Sequence, residues 1–387
     1  MPRVALLIES SREYGRGLLR GIMKYTRTRE PWVIFHEERG LSDASPEWLR
    51  GLPIDGIIAR ADSLELCHNI ERLSIPTVDL RGLHKLKGVP LIETNDRMVM
   101  RLAFNHLAER KFERFAFCGY RNVNYSDRRH SYAMELCDES GAELRAYQPQ
   151  HESTASNTVA MESLGATEGA FLADWIKQLP KPVGVVCCND IRGRQVLAAC
   201  SEIGVHVPDE VAVIGVDNDE ILCGLCNPPL SSVEPNTEKI GFRAAELLAE
   251  LMQGQHISTE TEFVDPIGVA ARGSTDACLV DDEDVAAAIR HIRDHACEGI
   301  TVDELVSKLP ISRTVLEKRF AKHLGIAPKS EINRVRLLKI KQLLTETNDT
   351  LPIIAAATGF RHSEYMSDFF RRKTGETPGA YRKRKRP

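Results

Sequence analysis

Between Gly299 and Arg384 the chain repeats one pattern twice: a short apolar-faced helix, a break, and a second helix with a polar outer face. In the first copy, Thr301-Val-Asp-Glu-Leu-Val-Ser-Lys-Leu309 reads as a helix with Leu305, Val306 and Leu309 on one face. Pro310 and Ile311 break it, and Ser312 is placed to cap a second helix running to about His323. That helix buries Leu316 and Phe320 at i, i+4 and turns Arg313, Thr314, Glu317 and Lys318 outward. In the second copy, Leu351 to Thr358 is the first helix and Gly359 ends it. Ser363 is placed to cap the next, where Met366 and Phe370 repeat the buried pair. Between the copies, Pro328 opens a long helix with Ile332, Val335 and Leu338 along one side, able to hold the two units at a fixed distance.

A helix pair of this kind lays its second helix in a DNA major groove, with base edges met near the N-terminal end. Thr314, Glu317 and Lys318 are assigned to base edges and Arg313 to phosphate, since Glu accepts from cytosine N4 and Lys donates to guanine. Ser363, Glu364, Tyr365, Ser367 and Asp368 occupy the equivalent turns of the second copy. Acidic residues on a DNA surface imply that this helix adds less affinity or reads cytosine edges. An all-helical packing module with incidental basic residues is the competing reading. In either reading Leu316, Phe320, Phe360, Met366 and Phe370 are core.

Charge supports the first. The net charge is −4, yet from Gly299 onward there are 19 Lys+Arg against 9 Asp+Glu, and before it 32 against 46. A basic end on an acidic body is expected when only that end displaces counterions from phosphate. At 387 residues the chain is long enough for two or three domains. The split expected is 1–277 and 278–387, with an exposed linker near Asp276 to Val285 that contains Asp281-Asp-Glu-Asp284.

Nothing in the sequence has the run of about eighteen apolar residues that spans a bilayer. Val4-Ala-Leu-Leu-Ile8 is too short for a signal-peptide core and lacks a cleavage site, so a cytoplasmic location is expected, with the ten cysteines as thiols. Cys223-Gly-Leu-Cys226 has metal or redox spacing, but no second such pair accompanies it. His291 and His295 share a helix face near Cys297 without a third ligand at helical spacing. Neither a metal nor a cofactor is expected.

From Pro2 to about Ala277, short apolar runs alternate with amphipathic helices. The runs are Val4 to Ile8, Trp32 to His36, Gly56 to Ala59, Thr77 to Leu80, Phe115 to Cys118, Glu143 to Tyr147, Val183 to Cys188 and Val211 to Val216. Helices are expected from about Gly15 to Thr28, Asp96 to Arg110, His130 to Glu139, around Trp175, Arg192 to Ile203 and Gly241 to Met252, the last returning to the first lobe. Two successive βα series, the second starting at Phe115, argue for two parallel-sheet lobes.

Ligands bind such sheets outside the carboxyl ends of the strands, and polar residues cluster there. Glu9 and Tyr14 follow the first run, Arg60 and Asp62 the third; Asn95 and Asp96, Asn189 and Asp190, and Asp217, Asn218 and Asp219 stand at helix starts or strand ends. Carboxylates and amides bind adjacent hydroxyls, and Arg donates to two sugar oxygens. The candidate ligand residues are therefore Glu9, Tyr14, Arg60, Asp62, Asp96, Asp190, Asp217 and Asn218, in a cleft suited to a sugar or polyol. Each alone is as readily a helix N-cap.

Resemblances sharpen this. Gly359-Phe360-Arg-His-Ser-Glu-Tyr365-Met-Ser-Asp-Phe369-Phe370-Arg-Arg-Lys-Thr-Gly375-Glu-Thr-Pro378-Gly-Ala-Tyr381-Arg382 resembles the C-terminal signature of AraC-type transcription regulators. Glu93-Thr-Asn-Asp96, Cys188-Asn-Asp190 and Val213-Ile-Gly-Val-Asp217-Asn218 resemble the sensing half of lac-repressor-type regulators, which share a fold with periplasmic sugar-binding proteins. Those repressors carry their DNA-binding helices first, whereas here the reading unit comes last. With Arg114-Phe-Ala-Phe117 and Arg290 to Leu305, that order resembles the bacterial xylose-operon regulators over almost the whole chain. The resemblance implies an α/β, two-lobed periplasmic-binding-protein-like sensor plus an all-α tandem helix-turn-helix domain. It also implies D-xylose as effector, operator DNA as partner and activation of xylose-utilisation genes. A homodimer, with RNA polymerase as a further partner, is expected of such a regulator. The residues themselves leave another pentose or a hexose open.

Catalysis has little support: no phosphate loop, no G-x-S-x-G elbow and no H-E-x-x-H. Gly15-Arg-Gly17 has Arg20 where a dinucleotide fingerprint needs its third glycine, so it reads as a helix start. A sugar-processing enzyme, using cleft carboxylates as acid and base, and a pure sugar carrier are the alternatives.

Overall fold

The structure is a computed structural model that describes every residue except 42, 44, 45, 149–157, 278–281 and 386–387. It divides into two compact units, Met1–Ala277 and Cys278–Pro387.

In the first unit, β1 (Arg3–Leu7) leads into α1 (Glu13–Thr28), β2 (Val33–Phe35), β3 (Gly56–Ala59), α2 (Leu64–Leu73), β4 (Thr77–Asp79) and β5 (Ile92–Thr94). The first four strands form a parallel sheet in the order β2-β1-β3-β4. The chain then crosses to a second lobe with α3 (Asp96–Ala108), β6 (Phe115–Cys118), α4 (Asn124–Ser140), β7 (Leu144–Ala146), α5 (Thr158–Gly165) and α6 (Gly169–Gln178). It continues through β8 (Val183–Cys187), α7 (Asp190–Glu202), β9 (Val211–Val216), α8 (Glu220–Gly224) and β10 (Ser231–Glu234). A second crossing brings α9 (Thr237–Met252) and β11 (Glu262–Val264) back to the first lobe, and a third returns β12 (Gly268–Ala270) to the second. The second sheet runs β12-β10-β9-β8-β6-β7, parallel except for β12, while β11 pairs with β5.

Each lobe has its own apolar core. Val4, Leu6, Ile8, Ile58 and Val78 pack against Leu18 and Ile22 of α1 and Ile240, Ala244 and Leu248 of α9. In the second lobe Val183, Val185, Val211 and Val213 pack against Leu172, Ile176, Val196 and Leu197. Strands covered by helices read as continuous apolar runs, which is why β1, β3, β8 and β9 are visible in the sequence. The short β5, β10, β11 and β12 are too polar or too brief to be anticipated. The sequence reading starts the second lobe at Phe115, but α3 already belongs to it: Phe104 packs edge-on against Phe115, with ring centroids 5.1 Å apart. Asp96 therefore stands at the crossing itself. The helix expected from His130 begins at Asn124, because its first turns are polar.

The second unit is all helical: α10 (Glu283–His295), α11 (Val302–Val306), α12 (Arg313–Leu324), α13 (Pro328–Glu346), α14 (Leu351–Ala357), α15 (Ser363–Thr374) and α16 (Pro378–Lys385). Leu305, Leu316 and Phe320 form one core with Ile289, Ile292 and Ile332; Ile354, Met366 and Phe370 form another with Ile340 and Leu344. Three expectations need correction. Asp282 to Asp284 are not linker: the Asp282 side chain caps α10 and, with Asp284, accepts from Arg319 of α12. Asp281 lies outside the described residues. Ser363 does not cap α15, since His362 is the capping position and makes no side-chain bond, leaving Ser363 as the first helical residue. On α13 Leu338 is 48 % exposed, and the buried stripe is Ile332, Arg336, Ile340 and Leu344.

Candidate functional site

A cavity of about 80 Å3 opens between the two sheets of the first unit, at the carboxyl ends of their strands. Six of the eight residues assigned to a ligand from sequence line it: Glu9, Tyr14, Arg60, Asp96, Asp190 and Asp217. Glu9 follows β1 and Arg60 follows β3; their side chains pair, and the Arg60 guanidinium also lies 4.7 Å from the centre of the Tyr14 ring. Tyr14 shares a 2.8 Å hydrogen bond with Thr94. Gly15 allows this corner to form: a Cβ there would stand 2.0 Å from the Glu9 carbonyl oxygen, so only glycine lets α1 start against the end of β1.

The lining residues differ in what they have left to offer. Asp96 is consumed, its carboxylate oxygens accepting from Arg128 Nε at 3.1 Å and Arg129 Nε at 2.8 Å. Asp190 is consumed as well, by the Ser232 hydroxyl at 2.6 Å and the Asp219 amide at 2.8 Å. Burial, reinforced by the Asp217 carboxylate, pushes Asp190 up to about 8, so it keeps a proton at neutral pH. Asp217 contrasts with both: no protein donor among the described residues bonds its carboxylate. Burial pushes it up to about 6 against the pull of the Arg129 guanidinium. Its backbone has φ 108°, a region L residues seldom adopt. On the opposite wall Arg60 Nε is buried without a hydrogen-bond partner. The Asp217 carboxylate lines the cavity with no protein donor among the described residues, which leaves it as an acceptor for a hydroxylated ligand, and Arg60 lines the same cavity.

Two assigned residues lie outside. Strand alternation would place Asp62 on the same face as Arg60, but β3 ends at Ala59, and the arginines acting on Asp62 are Arg39 and Arg81. Asn218 follows Asp217 with φ 50°, which turns its side chain away to accept from Arg272 Nη2 at 2.7 Å. Asn95, Asn189 and Asp219 are helix caps, accepting from the Met98, Arg192 and Ile221 amides.

The cavity also takes residues that the sequence did not single out. Arg128, on α4, reaches Glu93 at 2.9 Å. Tyr125 of α4 donates to Glu162 of α5 at 2.8 Å, and Asn189 donates to the same carboxylate oxygen at 3.0 Å. Arg12, from the first lobe, pairs with Glu162 across the cavity. With Arg81 and Arg129, these make a wall of alternating guanidinium and carboxylate groups.

In the second unit α11–α12 and α14–α15 are the two helix pairs. Thr301 and Glu304 form a reciprocal capping box at the start of α11, and Ser312 caps α12 through the Val315 amide. Arg313, Thr314, Glu317 and Lys318 are exposed on α12, and Arg313 is bonded to Glu317 and Asp303, both at 2.9 Å. On α15 Glu364, Tyr365 and Asp368 are exposed and Ser363 and Ser367 half-buried; Tyr365 is 72 % exposed. Arg336 fastens the pairs together. Its guanidinium donates to the Ala296 and Ile300 carbonyls at 2.7 and 3.1 Å and lies 5.5 Å from the Phe360 ring centre. Gly359, at φ 74°, packs on Gly299 so closely that a Cβ would stand 2.6 Å from the Gly299 nitrogen. Among the described residues no cluster could hold a metal ion, and no helix is long and apolar enough to cross a membrane.

A two-lobed cavity domain followed by paired helix-turn-helix units defines a ligand-responsive DNA-binding transcription regulator. Family models match in the same places: a XylR N-terminal domain over residues 3–92, a periplasmic binding protein-like domain over 104–275 and a helix-turn-helix domain over 305–384. The chain is 30% identical to the xylose operon regulatory protein of Haemophilus influenzae, covering 98% of both chains. It is 30% identical to that of Escherichia coli K12 over 98% of this chain and 96% of the relative. A solved xylose-binding transcription activator, xylR, matches with a TM-score of 0.80 at 29% identity, over 100% of this chain and 98% of that one. This chain belongs to the family of xylose operon regulatory proteins, and it is a transcription regulator rather than an enzyme.

Proposed function

We propose that this regulator senses D-xylose in its cavity and, as a cytoplasmic homodimer, activates xylose-utilisation genes from operator DNA, with RNA polymerase as a further partner. The observation that carries the sugar reading is the Asp217 carboxylate, which accepts from no protein donor among the described residues, lining with Arg60 a polar cavity of about 80 Å3. At about 10–15 Å3 per water position, a cavity of that size holds roughly five to eight water-sized groups. That is the scale of one small sugar. Asp217 and Arg60 are direct contacts in this reading, Glu9 and Tyr14 hold Arg60, and Asp96 and Asp190 shape the wall. The relatives named for xylose supply the choice of pentose.

DNA is read by α12 and α15. Thr314, Glu317 and Lys318 meet base edges; Ser363, Glu364, Tyr365, Ser367 and Asp368 occupy the equivalent turns of the second unit. Arg313, held by Glu317 and Asp303, orients Glu317 as much as it meets phosphate. The domains of this reading are residues 1–277 for the sugar and 278–387 for DNA. Calorimetry of the full chain with D-xylose, L-arabinose, D-ribose and D-glucose, beside mobility shifts on a xylose-operon promoter fragment, tests it. D-xylose should bind tightest and change the affinity for the fragment. Preference for another sugar overturns the choice of effector, and no retardation at low salt overturns the reading of α12 and α15.

A further inference from the structure

Asn218 and Arg272 stand between the cavity and the end of the sensor unit. Asp217 and Asn218 are consecutive residues with positive φ, 108° and 50°, at the end of β9. The Asn218 amide nitrogen donates to the Ser232 hydroxyl at 2.9 Å, and its side-chain oxygen accepts from Arg272 Nη2 at 2.7 Å. Arg272 follows β12 and opens the last segment of the first unit, which ends at Ala277.

That segment is sewn into the second lobe by polar bonds. Arg272 Nη1 donates to the Leu230 carbonyl at 3.0 Å, and the Arg272 amide to the Ser231 hydroxyl at 2.7 Å. The Ser274 hydroxyl donates to the Val213 carbonyl of β9 at 2.6 Å. Thr275 shares bonds of 2.7 Å with both Ser231 and His106. Ser274 and Thr275 are fully buried, so slack in one bond is not taken up by water. The side-chain pair Asn218 to Arg272 joins this network to the strained turn that presents Asp217.

We infer that Asn218 and Arg272 are positioning residues that relay occupancy of the cavity to residues 272–275, the segment by which the chain leaves the sensor unit. The inference rests on the proposed sugar site. A ligand that takes up the Asp217 carboxylate biases the φ of that turn. Asn218 is tied on one side to the turn and on the other to Arg272, so the exit segment adopts the arrangement that matches the occupied turn. Neither side chain lines the cavity, so the relay is separable from sugar affinity.

The test is a coupling measurement on the full chain. D-xylose affinity is measured by calorimetry with and without a DNA fragment that the unsubstituted protein retards, and the ratio of the two affinities is the coupling factor. Asn218→Gly keeps φ 50° without strain and deletes the side chain; Arg272→Met keeps the stem and deletes the donors. Each should bind D-xylose within about threefold of the parent while the factor falls toward one, and the double variant should lose no more than either single one. Asn218→Asp, which offers Arg272 a charged acceptor, should keep the factor or raise it. A factor unchanged in both single variants overturns the relay, as does loss of D-xylose binding together with the factor. A parent protein that binds no D-xylose overturns the sugar reading and the relay with it; a parent factor of one, or an intact parent factor beside insensitive variants, overturns the relay and leaves the sugar site standing.

Discussion

In the unfolded chain an aspartate ionises above about 3.9. In the fold, burial lets Asp217 hold its proton up to about 6. Its ionised form therefore opposes folding. The cost is absent below the unfolded value, grows as pH rises to about 6 and is complete above it, at roughly 2–3 kcal/mol. Asp217→Asn should stabilise the ligand-free protein by up to that amount at pH 7.5 and leave it unchanged near pH 4, as read from thermal melts. A destabilised variant at pH 7.5 contradicts the assignment. Sugar hydroxyls donate to the ionised carboxylate, so D-xylose affinity should fall as pH drops below about 6. Binding near pH 6 should then release protons, seen as buffer-dependent heat; a flat pH profile removes Asp217 from the ligand contacts. Asp217, Arg60 and Glu9 are legible because each follows an apolar run. Arg128, Arg129, Tyr125 and Glu162 are not, because on a helix in sequence they look like any solvated face. Asp62 shows the limit of alternation, which says nothing once the strand has ended.

At the scale of elements, the helix-turn-helix pairs are the most legible part of the chain, since an apolar i, i+4 pair states the face of α12 and of α15 and the capping Ser312 states the start of α12. The stripe of α13 is not. Apolar spacing picks Leu338, yet the helix turns Arg336 inward because its guanidinium satisfies the Ala296 and Ile300 carbonyls between α10 and α11. Gly359→Ala tests how firmly the two pairs are joined. It should cost at least about 1–2 kcal/mol for the left-handed φ, and more for the contact with Gly299, read as a lower denaturant midpoint. An unchanged midpoint contradicts the close packing. On the reading surface, Lys318→Ala should relax discrimination at one base position by about 1–3 kcal/mol. Glu364→Gln with Asp368→Asn should raise affinity for all sequences, because two charges that repel phosphate are removed. A binding-site selection that shows no relaxed position for Lys318→Ala contradicts its role at base edges.

For the whole molecule, both lobes contribute to the cavity: Glu9, Arg12 and Arg60 from the first, Asp190 and Asp217 from the second. A sugar held by both groups favours whichever lobe arrangement lets them meet, and it shifts the equilibrium only by its differential affinity for that arrangement. Linkage then requires DNA to change sugar affinity by the factor with which sugar changes DNA affinity. Equal sugar affinities with and without bound DNA contradict the closure mechanism even where both sites are real. The two-lobed architecture is legible from the repeated βα series, and the return to the first lobe from the apolar face of Gly241 to Met252; the first crossing ahead of α3 and the third to β12 are not, because the segments that make them carry no periodic apolar signal.

Those crossings also set an order of events during synthesis. The first lobe is built from residues up to β5 and then from α9 and β11, so the apolar faces of β1 and α1 stay uncovered until Val264 has been translated. At about 5–20 residues per second, that leaves them exposed for roughly ten to fifty seconds after they leave the ribosome. The second lobe, apart from β12, is contiguous between α3 and β10 and can close first. The helical unit that reads DNA is made last from local contacts, which form fastest. A nascent chain halted before α9 is therefore a target for chaperones and proteases, while one halted after Ala277 already holds every residue of the sensor.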